Sequence, residues 1–363
     1  MVYLNVDEIE QAVLSLSTTY SPVSKIIELP NKTKEGRTAH AIIIGENKGN
    51  NSQKSILITG GVHAREWGGS DICVSLAADI LEAYKLKKGL RYGNQYFNAK
   101  KIEKIVNQLN VIILPDVNPD GKAYSQSDPA RRLWRGNRNL QKPSCYGVDL
   151  NRNFDFLWDF GKHFSPEADV HTSSDPCDSS QTYKGKEPFS EPETKNVKWL
   201  MDEYRGVGHY IDVHCNGGTF LYNWGIDNNQ SNDPAMNFHN SSYNRVRGIN
   251  GDDQYQEYIP EEDHQYTKQI GKVFHDSLKK SSGKDYEVKQ GFDLYPTSGC
   301  SDDYSYCRQF LSGTGKIYGF TIEFGKDIPG DFQPPWNEME KIIIEISAGI
   351  VAFSHYVADN KNR

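Results

Sequence analysis

His63 and Glu66 stand three residues apart, directly after the apolar run Ser55-Ile56-Leu57-Ile58-Thr59-Gly60-Gly61-Val62. An imidazole and a carboxylate at the end of a buried strand form a donor pair that borderline-soft Zn²⁺ accepts. A catalytic zinc site takes three protein ligands and keeps one position open. With ten His in the chain, a chance His-x-x-Glu forming a surface ion pair competes with this reading. A third donor in a matching context favours the metal. His214 ends the apolar run His209-Tyr-Ile-Asp-Val-His214 and is followed by Cys-Asn-Gly-Gly, where the chain turns sharply. Sites in open α/β sheets form at the carboxyl ends of strands, which is where all three residues fall. Taken alone, His214 has the plainer alternative of a satisfied core histidine.

Two carboxylates complete the chemistry. Asp149, two residues before Asn151-Arg152, is a candidate acceptor for the outer N–H of a ligating imidazole, a bond that fixes the ring tautomer. Glu323 ends the strand Gly319-Phe-Thr-Ile, where a charge without a role would be expensive. Beside a catalytic zinc it could take a proton from water and return it to a leaving amine.

The elements that must carry these residues alternate. Val6 to Leu16 reads as an amphipathic helix, leading into an extended segment. Ala39 to Gly45, Ser55 to Thr59, Asn110-Val-Ile-Ile-Leu, His209 to His214 and Ile317 to Glu323 read as strands, several of them buried on both faces. Asp71 to Leu86, Glu191 to Tyr204 and Glu338 to Tyr356 read as helices. The pattern predicts an α/β sheet covered on both sides. Neither a repeat nor a linker divides residues 1–363, so one domain is expected. From Gly225 to about Gly283 the chain is rich in Asn, Asp, Gln, Ser and Tyr, with a helical pattern only at about Glu261 to Lys280. This insertion is either a solvated surface excursion or a wall over the site. Its Asp clusters are a candidate structural Ca²⁺ holder, although EF-hand spacing is absent.

Composition narrows the partners. A net charge of −7 argues against nucleic acid, which needs a basic footprint. The longest apolar stretch, Ile342 to Phe353, is interrupted by Glu345 and too short to span a bilayer. The N-terminus lacks the basic start and apolar core of a signal peptide, so a cytoplasmic protein or a trimmed mature segment is expected. Cys145, Cys177, Cys300 and Cys307 lie in loop-like surroundings and form candidate disulfides, which lean towards an extracellular setting. Cys73 and Cys215 sit in apolar contexts and are expected as buried free thiols.

In order, His63-x-x-Glu66, Asn151-Arg152, His214, Tyr295 and Glu323 resemble the zinc metallocarboxypeptidases of the pancreatic A/B type, with a flavour of the bacterial secreted members. Arg132-Leu-Trp-Arg135, Gly147-Val-Asp-Leu-Asn-Arg-Asn-Phe154, Tyr295-Pro-Thr-Ser-Gly-Cys-Ser-Asp-Asp303 and Thr321-Ile-Glu-Phe324 carry the resemblance over nearly the whole chain. It implies a single domain with a mixed, largely eight-stranded twisted sheet and helices on both faces. It also implies one Zn²⁺ on His63, Glu66 and His214, with Glu323 as general base and acid. Arg135 would stabilise the oxyanion, and Asn151, Arg152 and Tyr295 would hold a substrate's terminal carboxylate. Arg65 would be an auxiliary contact. Cys145 and Cys177 match a disulfide of the pancreatic enzymes, and a Cys300–Cys307 bridge would stiffen the specificity loop. A pro-domain is not present in the chain, and a monomer is expected.

Asp302, seven positions after Tyr295, falls at the base of the family's specificity pocket, where an acid marks preference for C-terminal Lys or Arg. Mixed specificity, with Asp302 or Asp303 merely capping a turn, is the competitor. The substrates implied are peptide or protein C-termini. Two other functions stay open: a cell-wall peptidase or amide deacylase on the same scaffold, and a binding module that has lost activity.

Overall fold

Eight strands form one sheet in the computed structural model, which describes residues 3–312, 314–328 and 332–360. In chain order they are β1 (Ser24–Glu28), β2 (His40–Ile44), β3 (Ser55–Gly60), β4 (Asn110–Leu114), β5 (Val207–Cys215), β6 (Thr219–Tyr222), β7 (Glu287–Gln290) and β8 (Tyr318–Phe324). The spatial order is β1-β2-β4-β3-β5-β8-β6-β7. The central strands β4, β3, β5 and β8 are mutually parallel, and β2 and β6 run against them. The Ile-, Val- and Leu-rich runs at 42–44, 56–58 and 111–114 are solvent-free on both faces, as a parallel sheet beneath helices demands.

The helices are α1 (Val6–Thr19), α2 (Gly68–Lys85), α3 (Ala99–Gln108), α4 (Pro119–Gln126), α5 (Pro192–Glu203), α6 (Glu261–Ser282), α7 (Ser301–Ser312) and α8 (Trp336–Asp359). On one face of the sheet, Phe220 packs against Phe274 of α6, and Phe320 edge-to-face against Phe353 of α8. Alternation sends the neighbours of Phe320 to the opposite face. There Thr59, Asp212 and Thr321 lie side by side in register across β3, β5 and β8. The start of α7 covers this row, with Ser301 Oγ donating to Asp212 Oδ2 at 2.8 Å. α8 extends beyond the apolar run read from the sequence and is long and apolar enough to cross a membrane, but 67% of its apolar window is buried in the fold, where it packs on α6.

The insertion has a core of its own. Arg247 is fully buried: its Nη1 donates to Tyr243 O (3.0 Å) and Asn244 Oδ1 (3.1 Å), and its Nη2 to Asn240 O (3.0 Å). Tyr255 lies 4.8 Å from the guanidinium. The oxygens of this Asn-rich stretch thus converge on a guanidinium. Among the described residues, no cluster of metal-holding side chains falls within the stretch.

One expectation is corrected. Cys145 and Cys177 are joined, but Cys300 and Cys307 are separate buried thiols. Ser-Asp-Asp-Tyr-Ser-Tyr, read as a loop, is the beginning of α7, where Asp302 and Asp303 suit the positive end of the helix dipole. Seven residues of helix rise about 10 Å, whereas bridged cysteines keep their Cα atoms within about 7 Å. Alkylation of the denatured, unreduced protein should therefore label Cys73, Cys215, Cys300 and Cys307 but leave Cys145 and Cys177 unlabelled. Peptide mapping by mass spectrometry checks this, and an unlabelled Cys300 and Cys307 would contradict it.

Candidate active site

β3 ends at Gly60, and Gly61 (φ +70°) turns the chain beneath the Asp116 carboxylate, where a Cβ would come within 2.8 Å of Oδ1. This turn delivers His63 just beyond the carboxyl end of β3, and Glu66 follows two residues before α2. On β5, His214 is the cross-strand partner of Glu323 on β8. The sheet alone therefore sets the third donor beside the candidate base.

The three donors converge. His63 Nδ1 lies 2.8 Å from Glu66 Oε1, and His214 Nδ1 lies 3.0 Å from Glu66 Oε2. The two Nδ1 atoms are 3.1 Å apart, and all three side chains are buried. Zn–N bonds of about 2.0–2.1 Å in a tetrahedral site place two nitrogens about 3.3 Å apart, so the spacing fits. Two imidazoles and one carboxylate are also the donor set that zinc favours. Burial works against charge here, yet the two imidazoles hold the Glu66 carboxyl well below its usual range. Burial likewise opposes charge on His214, but Asp212 and Glu66 outweigh it and raise the imidazole well above its usual value. Glu323 keeps part of its side chain at the cleft surface, while Oε2 is enclosed without a partner. Enclosure pushes this carboxyl up to about 8, against the pull of His214.

Asp149 acts as a junction. Its Oδ1 faces His63 Nε2 at 3.1 Å and accepts from the Asn151 N–H at 3.0 Å, and its Oδ2 accepts from Arg135 Nε at 2.8 Å. Burial would raise Asp149, but Arg135, His63 and Arg152 together hold it well below the usual range. The Arg135 carbonyl in turn accepts from the Ala64 N–H at 2.9 Å, which ties the arginine turn to the His63 turn. Arg65 is mostly enclosed, with its guanidinium 4.0 Å from the Phe332 ring centroid.

Asn151 and Arg152 lie in a short 3-10 turn behind Asp149. Asn151 Oδ1 accepts from the Ser301 N–H at 2.8 Å, so this turn also anchors the head of α7. Gly299 (φ +66°) passes so close to the Arg152 carbonyl that a side chain there would collide with it. That approach brings the loop bearing Tyr295 to Arg152, and the phenol comes within reach of the guanidinium. Asp302 is buried at the top of α7, where Oδ2 accepts from Thr321 Oγ1 at 3.1 Å. Burial is the main cause raising its carboxyl. Asp303 serves a different purpose: it accepts from the Gly225 N–H at 3.0 Å and from Asn223 Nδ2, fixing the root of the insertion.

Asp212 was not singled out from sequence. It is fully buried, accepts from Thr59 Oγ1 and Ser301 Oγ (2.8 Å each), and contacts His214 Nε2 at 3.0 Å as an ion pair rather than an aligned hydrogen bond. A readable signal existed: an Asp two residues before His214 on a strand must share its face. Asp212 is to His214 what Asp149 is to His63.

A sequence profile described as zinc carboxypeptidase matches residues 9–346. Carboxypeptidase B of Astacus astacus is 28% identical over 98% of this chain and 97% of its own length. The inactive metallocarboxypeptidase ECM14 of Saccharomyces cerevisiae is 32% identical over 61% of this chain and 45% of its own. The solved structure of bovine thrombin-activatable fibrinolysis inhibitor superposes with a TM-score of 0.73 at 21% identity, covering 99% of this chain and 98% of that one, a likeness of fold.

Two outcomes are expected. Zinc needs a neutral imidazole and an ionised carboxylate, while His214 and Glu323 both hold protons near neutrality, so uptake must release protons and weaken as pH falls. Calorimetry in buffers of different ionisation enthalpy measures the release, which should shrink in Glu323→Gln. Asp212→Asn should lower zinc affinity by about 10- to 100-fold, the usual loss when the partner of a ligating imidazole is removed. Competition with a chromogenic chelator reads this directly.

Proposed function

Because the chain belongs to the zinc carboxypeptidase family, we propose that it removes C-terminal residues from peptides and proteins, preferring Lys and Arg. The observation that carries the proposal is the linking of two sets of groups through one carboxylate. The donor triad with Glu323 lies on one side, and Asn151, Arg152 and Tyr295 lie on the other, linked through Asp149.

His63, Glu66 and His214 would hold one zinc ion. When bound, it supplies Lewis acidity to a carbonyl oxygen and lowers the pKa of water. Asn151, Arg152 and Tyr295 dock the substrate's terminal carboxylate, for which the guanidinium fork is shaped. Docking aligns the last peptide bond with Glu323, converting an encounter into a positioned reaction. Glu323 takes the proton of the attacking water and returns it to the departing amine nitrogen as the C–N bond breaks. Arg135, whose Nε is committed to Asp149, offers its remaining donors to the oxyanion, a role commonly worth about 3–4 kcal/mol.

The preference for basic residues is supported by Asp302. A carboxylate enclosed at the head of α7 is destabilised by burial, and a cationic side chain entering beside it relieves that cost. The Cys145–Cys177 disulfide supports an extracellular setting, and the protein is read as a monomer. The yeast relative named inactive makes a silent binding module the second reading. Against it stand the filled ligand positions and the enclosed Glu323.

Peptides differing only in a final Arg, Lys, Leu, Phe or Asp, incubated with and without a zinc chelator, test the reading by mass spectrometry. Chelator-sensitive loss of one residue should be fastest for Arg and Lys. Intact peptides from fully metallated protein would instead favour the silent module or a modified cell-wall substrate. Glu323→Gln should keep zinc and lose about 10²- to 10⁴-fold in kcat. Asp302→Ala should slow cleavage of Arg and Lys by about 10- to 100-fold, the worth of a charged hydrogen bond, and spare Leu and Phe. An equal loss for all four would make Asp302 structural.

A further inference from the structure

His171 lies outside every motif, yet it touches both halves of the carboxylate dock. Its ring stacks on Tyr295, with centroids 4.2 Å apart and planes 14° from parallel. Its carbonyl accepts from Arg152 Nε at 2.6 Å. Its own N–H donates to Pro296 O at 3.3 Å, and the next residue pairs Thr172 Oγ1 with Ser298 Oγ at 3.1 Å. Six residues later this segment is fastened by Cys177 to Cys145, just before the Asp149–Arg152 turn. Residues 171–172 and 295–298 are therefore zipped together by backbone, hydroxyl and ring contacts.

The His171 side chain is 45% exposed, and its ion-pair neighbour among the described residues, Asp169 at 3.5 Å, is almost fully solvated. A ring in that position adds little to the core. It does restrict one thing, the position of the Tyr295 phenol, which reaches the Arg152 guanidinium. A tyrosine on a loop would otherwise sample open positions, and each substrate would have to draw it in.

We propose that His171 is a positioning residue that holds Tyr295 over the carboxylate dock before substrate arrives. This rests on the reading of Tyr295 as a carboxylate clamp. An aromatic pair contributes about 0.5–1.5 kcal/mol, so loss of the ring shifts the closed position by about 2- to 10-fold. Because the clamp grips the terminal carboxylate in both ground and transition states, the shift falls on KM and not on kcat. The carboxylate is common to all substrates, so the effect is the same whatever the last side chain.

His171→Ala and His171→Phe are compared with the unaltered protein in two measurements. In steady-state cleavage of peptides ending in Arg or Leu, His171→Ala should raise KM by about 2- to 10-fold for both with kcat unchanged, and His171→Phe should restore it. In the protein without substrate, tetranitromethane should nitrate Tyr295 faster in His171→Ala than in the other two, with the remaining tyrosines as internal references on peptide maps. An unchanged KM together with unchanged nitration of Tyr295 overturns the proposal. So does a fall in kcat and melting temperature that Phe does not rescue, since that marks a structural residue. If no peptide is trimmed by any form but nitration of Tyr295 still depends on the ring, the positioning role stands and the peptidase reading fails.

Discussion

The parallel pairing of β5 with β8 is the constraint on which the site depends. Its register sets His214 opposite Glu323 and, two residues earlier, Asp212 opposite Thr321. A slip of one residue would turn the two side chains of the shifted strand to the other face. That face is filled by Phe220, Phe320 and Phe353, so the slip would bury charges among aromatic rings. Packing on one face therefore enforces catalytic geometry on the other. Loop contacts could place the same groups, but only strands buried on both faces hold them without dependence on a bound ligand.

The second organising feature is an imbalance of charge that the fold tolerates only here. Glu66, Asp149, Asp212, Asp302 and Glu323 crowd around two imidazoles and two arginines in a region with little water. Burial disfavours every one of these charges. The outcome differs from group to group because the neighbours differ. Asp149, between Arg135 and His63, remains ionised, whereas at Glu323 and Asp302 burial outweighs the pull of His214 and pushes them the other way. Carboxyls driven apart in this fashion mark acid and base assignments within a site. A divalent cation among the three donors would relieve much of the crowding.

The strands bearing His63, His214 and Glu323 were legible because buried parallel strands announce themselves as short apolar runs. β6 and β7 were not, since Thr219–Tyr222 and Glu287–Gln290 are short and hug the edge of the sheet, where pairing rather than composition makes the strand. The head of α7 reads as a loop in sequence because Ser, Asp and Tyr are turn-favouring residues, while the helix dipole and burial decide in favour of a helix. The insertion looked solvated because Arg247, a charged residue in sequence, becomes the centre of a small core once carbonyls surround it. Asp212 escaped notice for a related reason. An acid inside an apolar strand is informative only when its face is compared with that of His214. His171 carries no such signal, since its partner lies 124 residues away and the contact exists only after folding.

The cleft therefore has two kinds of construction. His214 and the candidate base stand on strand ends, and His63 and Glu66 on the short turn between β3 and α2, all in positions the core dictates. The proposed substrate side is assembled from three segments, at 145–152, 171–177 and 295–301, each contacting another and two of them joined by a disulfide. Chemistry requires donor atoms fixed to tenths of an ångström, which strands supply. Recognition of varied chain ends requires surfaces that can differ between relatives without disturbing the sheet, which loops supply. Asp149 belongs to both, with one oxygen towards His63 and the other towards Arg135, and its backbone leads directly into Asn151 and Arg152. Under the proposed function, a substrate carboxylate on Arg152 would be held by the same turn that orients the imidazole of His63, so one short stretch of backbone would set both the chain end and the bond to be cut.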